Sequence, residues 1–86
     1  MRIKFFGIFR DLAGVETINV ELPSPLSVSE LLYILPKEIS WFNEFLKTVE
    51  KVGVSIIVLV NDRVVSSDYL VKDDDEVTLL PPAAGG

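Results

Sequence analysis

Apolar and polar residues alternate with a period of two over residues 1–10, placing Ile3, Phe5, Gly7 and Phe9 on one side and Arg2, Lys4, Phe6, Ile8 and Arg10 on the other. Successive strand side chains point to opposite faces, so this pattern predicts a strand with the first set toward a core. The second set carries three cations and faces water, which leaves Phe6 and Ile8 as apolar residues on an otherwise polar face. Asp11-Leu12-Ala13-Gly14 reads as a connection with a turn glycine. Alternation returns over residues 16–22, with Ile18, Val20 and Leu22 opposed to Thr17, Asn19 and Glu21. Two strands joined this closely predict an antiparallel hairpin.

The period then changes. Pro23-Ser24-Pro25 ends the second strand, and Ser27-Val28-Ser29-Glu30 fits a capping box in which serine and glutamate side chains bond each other's backbone amides. Val28, Leu31, Leu32 and Leu35 follow at helical spacing. Pro36 has no amide hydrogen to donate, so this first helix is expected to stop near Leu35. Ser40 is the expected cap of a second helix, where Phe42, Phe45, Leu46 and Val49 repeat the i, i+3, i+4, i+7 pattern. Gly53 suits its end.

Residues 54–60 form a nearly continuous apolar, β-branched run, the pattern of an interior strand buried on both faces. Asn61-Asp62-Arg63 turns the chain into a short strand around Val64 and Val65. Lys72-Asp73-Asp74-Asp75 is a polar turn, and residues 76–80 make the last strand. The order β-β-α-(α)-β-β-β predicts an α+β fold: a mixed sheet of about five strands with helices on one face. It fits the β-grasp, or ubiquitin-like, architecture, in which the first and last strands lie side by side at the sheet centre. Residues 1–80 are expected to form the domain, and residues 81–86 a flexible C-terminal tail.

Composition narrows the chemistry. The 86 residues suit a single small domain, and 49% hydrophobic content is enough for its core. Neither cysteine nor histidine is present, which removes disulfides, thiolate and imidazole zinc ligands, the commonest general base and the strongest side-chain nucleophile. No serine sits in a Gly-x-Ser-x-Gly elbow, and no phosphate-binding glycine pattern occurs. Stand-alone catalysis is not expected. The acidic run of residues 73–76 lacks the alternating ligands and central glycine of a calcium loop and reads as a solvated turn. Trp41, Phe42 and Phe45 read as core rather than as a ligand groove. A net charge of −5 opposes phosphate-backbone binding, so nucleic acid is not an expected partner. The longest apolar run is too short to span a bilayer, and no secretory signal is visible. A cytoplasmic protein without membrane association is the expectation.

The tail carries the remaining chemistry. Pro81 and Pro82 remove two amide donors, so the last strand must release the chain there. Ala83, Ala84, Gly85 and Gly86 bear nothing larger than a methyl and are thin enough to enter a narrow channel. The two glycines leave the α-carboxylate open to attack a nucleotide phosphate. An ordinary frayed terminus is the competing account.

Val60-Asn61, Val65-Ser66, Asp68, Asp73-Asp74-Asp75-Glu76-Val77 and Pro81-Pro82-Ala83-Ala84-Gly85-Gly86 together resemble the MoaD family, the small sulfur-carrying subunits of molybdopterin synthase in the ThiS/MoaD superfamily. The stretch from Phe5 to Leu12 is similar to that family's first strand, while Asp74 stands where the family usually has glycine. The resemblance implies that Gly86, with Gly85 beside it, is adenylated by an ATP-dependent activating enzyme and converted to a thiocarboxylate. The thiocarboxylate then gives its sulfur to a cyclic pyranopterin precursor in molybdenum cofactor biosynthesis. It further implies a large catalytic partner subunit, in a hetero-oligomer that is expected to be a heterotetramer. This chain is then the non-catalytic, sulfur-donating half of a two-subunit sulfurtransferase, with no bound cofactor or metal. Partner contacts are implied at Phe6, Arg10, Val64, Leu80, Pro81, Pro82, Ala83 and Ala84. Gly-Gly endings are shared by thiazole-forming carriers and by ubiquitin-like modifiers conjugated through the equivalent of Gly86, so those remain alternatives.

Overall fold

A computed structural model describes residues 1–23 and 25–82. The first strand is shorter than its alternation predicts. β1 covers Arg2–Phe5, and the chain then turns at Gly7, whose φ of 62° and ψ of −136° suit a residue without Cβ. The helix α1 (Ile8–Ala13) follows, with the Phe9 amide donating to the Phe6 carbonyl at 3.2 Å and the Arg10 amide to the Gly7 carbonyl at 3.1 Å. Phe9 is still fully buried. Gly7, expected on the core face, is exposed, but a strand and a turn-plus-helix both bury Phe5 and Phe9, so periodicity could not separate them. Gly14, at φ 77°, ends α1 as a left-handed cap and does not serve as a hairpin turn.

β2 (Thr17–Asn19) pairs antiparallel with β1, Ile3 opposite Ile18. It is shorter than the expected 16–22, yet the alternation persists: Ile18 and Val20 are half-buried and Leu22 is buried. β3 (Leu26–Ser27) leads into α2 (Val28–Glu38). The capping box is formed, with Ser27 Oγ accepting from the Glu30 amide at 3.0 Å and Glu30 Oε1 accepting from the Ser27 amide at 2.9 Å.

α2 does not stop before Pro36; it continues to Glu38 with the proline in its last turn. So near the end, the ring removes a single amide donor, and the Ile39 amide still reaches the Leu35 carbonyl at 2.8 Å. α3 (Ser40–Val52) starts without the expected serine cap. Ile39, extended at φ −124° and ψ 109°, is the N-cap, and Ser40 is already helical. The two helices follow so directly that one residue caps the end of the first and the start of the second. Gly53 closes α3 at φ 81°, as its position suggested.

β4 (Ile57–Val60) and β5 (Arg63–Val64) form a hairpin around Asn61 and Asp62, both at positive φ (50° and 67°), a combination that follows the right-handed strand twist. β6 (Leu70–Val71) pairs antiparallel with β3 as a separate two-stranded ribbon. β7 (Glu76–Leu80) occupies the predicted residues. The main sheet has the order β2-β1-β7-β4-β5, with β1 and β7 parallel at its centre. This is the ubiquitin-like β-grasp arrangement.

One side chain pair locks two turns at the end of the sheet. Asn61 Nδ2 donates to Asp75 Oδ1 at 2.9 Å, Asn61 Oδ1 accepts from the Glu76 amide at 3.0 Å, and Asp75 Oδ2 accepts from the Lys72 amide at 2.8 Å. The Asp75 carboxylate is thus occupied in shaping the acidic turn.

The core lies between the sheet and the helices. Ile3, Phe5, Val77 and Leu79 from the central strands meet Leu31 and Leu35 of α2 and Phe42 and Phe45 of α3. Phe45 makes edge-on contacts with Phe5 and Phe9, at 5.3 and 5.6 Å between ring centres, and Trp41 packs half-buried against Phe5. β4 departs from expectation here. Val58 and Val60 enter this core, but Ile57 and Leu59 are only half-buried on the opposite face. The run 54–60 is therefore not buried on both sides.

Candidate surface on the open face of the sheet

Register places the residues of the uncovered face in rows, because directly opposed strand residues point the same way. One row runs Thr17, Lys4, Thr78, Leu59, Val64 from β2 to β5. The next row toward the end of β7 has Leu80 opposite Ile57. Phe6, one position past the Phe5–Leu79 pair, falls beside Leu80. In the other direction Arg2 lies between Asn19 and Glu76, with Arg2 Nη1 3.3 Å from Glu76 Oε2.

The face is thus graded from polar to apolar. Its polar end is where β7 begins, and its apolar end is where β7 delivers the chain to Pro81. Phe6 is 56% exposed and Val64 75%, while Leu80, Ile57 and Leu59 are half-buried. Thr78, between Lys4 and Leu59, is buried to 7% exposure. Apolar side chains gathered on a polar-rimmed sheet face are a feature of surfaces that take protein partners.

Of the residues singled out from the sequence, Phe6, Val64 and Leu80 share this face; Phe6 falls beside Leu80, and Val64 stands on the edge strand opposite Leu59. Arg10 is exposed, but it stands on α1 beyond the Gly7 turn and is not a continuation of the β1 face. Pro81 is half-buried, its Cγ and Cδ 3.6 Å from where a Cβ on Gly7 would sit, and Pro82 is exposed. Ala83, Ala84, Gly85 and Gly86 lie outside the described residues. Ile57 and Leu59 were not foreseen. The signal for them was the element order: with helices on one face only, a central strand that is apolar on both sides must present half of its side chains to the open face.

The groups with displaced proton affinity lie away from this surface. The Glu30 carboxyl is held below its usual value of 4.5, chiefly by the Ser27 amide and then by the Ser27 hydroxyl. The Tyr33 hydroxyl is lowered from 10.0 by a hydrogen bond and the charge of Lys37, whose Nζ sits 3.9 Å from the ring centre. Among the described residues, no three carboxylates approach closely enough to hold a metal, and no helix is long and apolar enough to cross a membrane.

A sequence model of the ThiS family matches residues 3–86. Among solved structures, a protein assigned as molybdopterin converting factor subunit 1 of Pyrococcus furiosus is 28% identical, superposing with a TM-score of 0.70 over 95% of each chain. A chain from the complex of subunits 1 and 2 of the molybdopterin-converting factor of Helicobacter pylori is 26% identical, with a TM-score of 0.61 over 99% of this chain and 96% of that one. SAMP1 of Haloferax volcanii, at 23% identity and a TM-score of 0.72 over 100% of this chain and 98% of that one, shares the fold.

Proposed function

The chain belongs to the ThiS/MoaD family of ubiquitin-like sulfur carriers, and from that premise we propose that it is the sulfur-carrying small subunit of a molybdopterin synthase. The observation that carries this is the placement of Phe6, Leu80 and Ile57 at the root of the glycine-ended tail: the strand that leads to Gly86 ends inside the apolar patch. A partner docked on that patch receives the tail beside its own surface.

The reaction divides between the proteins. The Gly86 carboxylate attacks the α-phosphorus of ATP in the activating enzyme and expels pyrophosphate, giving an acyl adenylate. A sulfide equivalent then displaces AMP to leave a terminal thiocarboxylate. In the large subunit the thiocarboxylate sulfur passes to the cyclic pyranopterin precursor, and water restores the carboxylate. This chain contributes binding and delivery, and its lack of cysteine and histidine confines the sulfur to the terminus. The likeness to a chain solved as a complex of subunits 1 and 2 supports a large-subunit partner. A cytoplasmic site of action, with ATP at hand, follows from the same chemistry.

Mass spectrometry of protein isolated from its own cells tests the proposal. A fraction with one oxygen replaced by sulfur at Gly86 is expected, together with a co-purifying pterin-binding subunit. Deleting Gly85 and Gly86 is expected to abolish that species while leaving the melting temperature unchanged. Branched peptides joined through Gly86, with no sulfur species, would make the protein a modifier instead. Sulfur loading without a pterin-binding partner would assign it to another carrier pathway.

A further inference from the structure

The lane along which β7 would continue is closed on both sides, by the Gly7 turn and Pro81 toward β1 and by Pro82 toward β4. Backbone groups of a strand point alternately to its two neighbours. In β7 the odd-numbered residues face β1: the Phe6 amide donates to the Leu79 carbonyl at 3.0 Å, and the Arg2 amide to the Asp75 carbonyl at 3.3 Å. The even-numbered residues face β4: the Asn61 amide donates to the Glu76 carbonyl at 2.9 Å, and Leu80 stands opposite Ile57.

Continuing this alternation, residue 81 would donate toward β1 and residue 82 toward β4. Both are proline, so neither donor exists. On the β1 side the acceptor is taken as well. The Phe6 carbonyl, the one residue 81 would use, instead accepts from the Phe9 amide at 3.2 Å, because Gly7 has turned the chain into α1. The Pro81 ring packs against Gly7. On the β4 side the register puts position 82 opposite Ser55, which lies just outside β4.

We propose that Gly7, Pro81 and Pro82 form a two-sided strand stop that ends the sheet at Leu80 and so keeps the Gly86 end available to a partner's active site. The functional half of this rests on the sulfur-carrier role proposed above. Gly7 acts as a positioning residue: it removes β1 from the lane and supplies the surface on which Pro81 is seated. Without the stop, the segment after Leu80 would have an edge on either side to join, and a terminus zipped into its own sheet cannot enter another protein.

The two sides make unequal demands, which gives a specific test in the full-length chain. In Pro82→Val, the register sets the new amide at position 82 opposite the Ser55 carbonyl, and it is expected to exchange with solvent on the order of tenfold more slowly than an unstructured amide, as one added backbone hydrogen bond would give. In Pro81→Val, the new amide at position 81 finds the Phe6 carbonyl already occupied and is expected to exchange freely. The unfolding midpoint of Pro82→Val is expected to hold or rise while its sulfur-loaded fraction in cells falls. A freely exchanging amide at position 82, or equal protection at 81 and 82, would overturn the strand stop. Protection at 82 with undiminished loading would overturn its functional role. Absence of sulfur on the wild-type chain would count against the carrier role alone, since the exchange rates judge the stop independently.

Discussion

At the scale of single residues, the start of α2 is the most legible position in the chain. The spacing of Ser27 and Glu30 predicts a capping box, and both reciprocal bonds are present. Ser27→Ala is expected to lower the unfolding free energy by about 1 kcal/mol, measured by chemical denaturation at neutral pH. Glu30 adds a pH dependence of known sign. The Ser27 amide and hydroxyl lower its folded pKa below 4.5, so the ionised form is favoured by folding. Its contribution is complete above the unfolded value and is lost as pH falls through the lowered folded value. Glu30→Gln is therefore expected to cost stability at pH 7 and progressively less on acidification. A difference from wild type that does not narrow would exclude the ionised carboxylate as the source. Ser40 had the same chemical credentials for a cap, but the direct passage from α2 into α3 gave that place to Ile39.

At the scale of elements, helices and strands differ in how far their patterns could be trusted. The spacing in α3 predicts an apolar stripe through Phe42, Phe45 and Val49, and all three are buried. Phe45 contacts Phe5, Phe9 and Phe42, so Phe45→Ala opens a void among three rings and is expected to cost about 3–5 kcal/mol. That is a large share of the roughly 5–15 kcal/mol typical of small domains, and thermal melts should show a weakly stable protein, with Phe45→Leu much less affected. The ends of elements were less legible. Pro36 did not stop α2, because near a helix end its missing donor costs only one bond. β1 stopped at Phe5 although the alternation ran on to Arg10, because a glycine at positive φ reverses the chain without disturbing which residues are apolar. The β3–β6 ribbon joins segments more than forty positions apart, and two-residue strands leave no periodic trace.

At the scale of the whole molecule, the sheet separates strand residues packed under the helices from those on its open face. Leu59 and Val64 are neighbours on this face, and Phe6 lies beside Leu80 at its apolar end. Val64→Asp and Phe6→Asp place a charge at side chains that are 75% and 56% exposed, so their melting temperatures are expected to stay close to wild type. Under the proposed function, either change should weaken binding of the large subunit at least about tenfold, since an unpaired charge at an interface centre is strongly unfavourable. Titration calorimetry with the co-purified partner measures this. Unchanged affinity for both variants would move the docking surface elsewhere.

The amino-acid sequence by itself determined the capping box, the core stripes of α2 and α3 and the last strand from Glu76 to Leu80, but not α1 or the β3–β6 ribbon. Those features rest on local periodicity and on residue chemistry that acts within a few positions. It also marked Phe6, because an apolar side chain on a polar face stands out without any structure, whereas Val64 and Leu80 were implied by the family resemblance. Only the tertiary arrangement decided that Ile57 and Leu59 belong with them, since which side of β4 is covered depends on where the helices pack. Only the register of β7 between β1 and β4 decided that Pro81 and Pro82 close different sides of one lane. Backbone direction in a sheet is a property of neighbouring strands, and no single strand carries it alone.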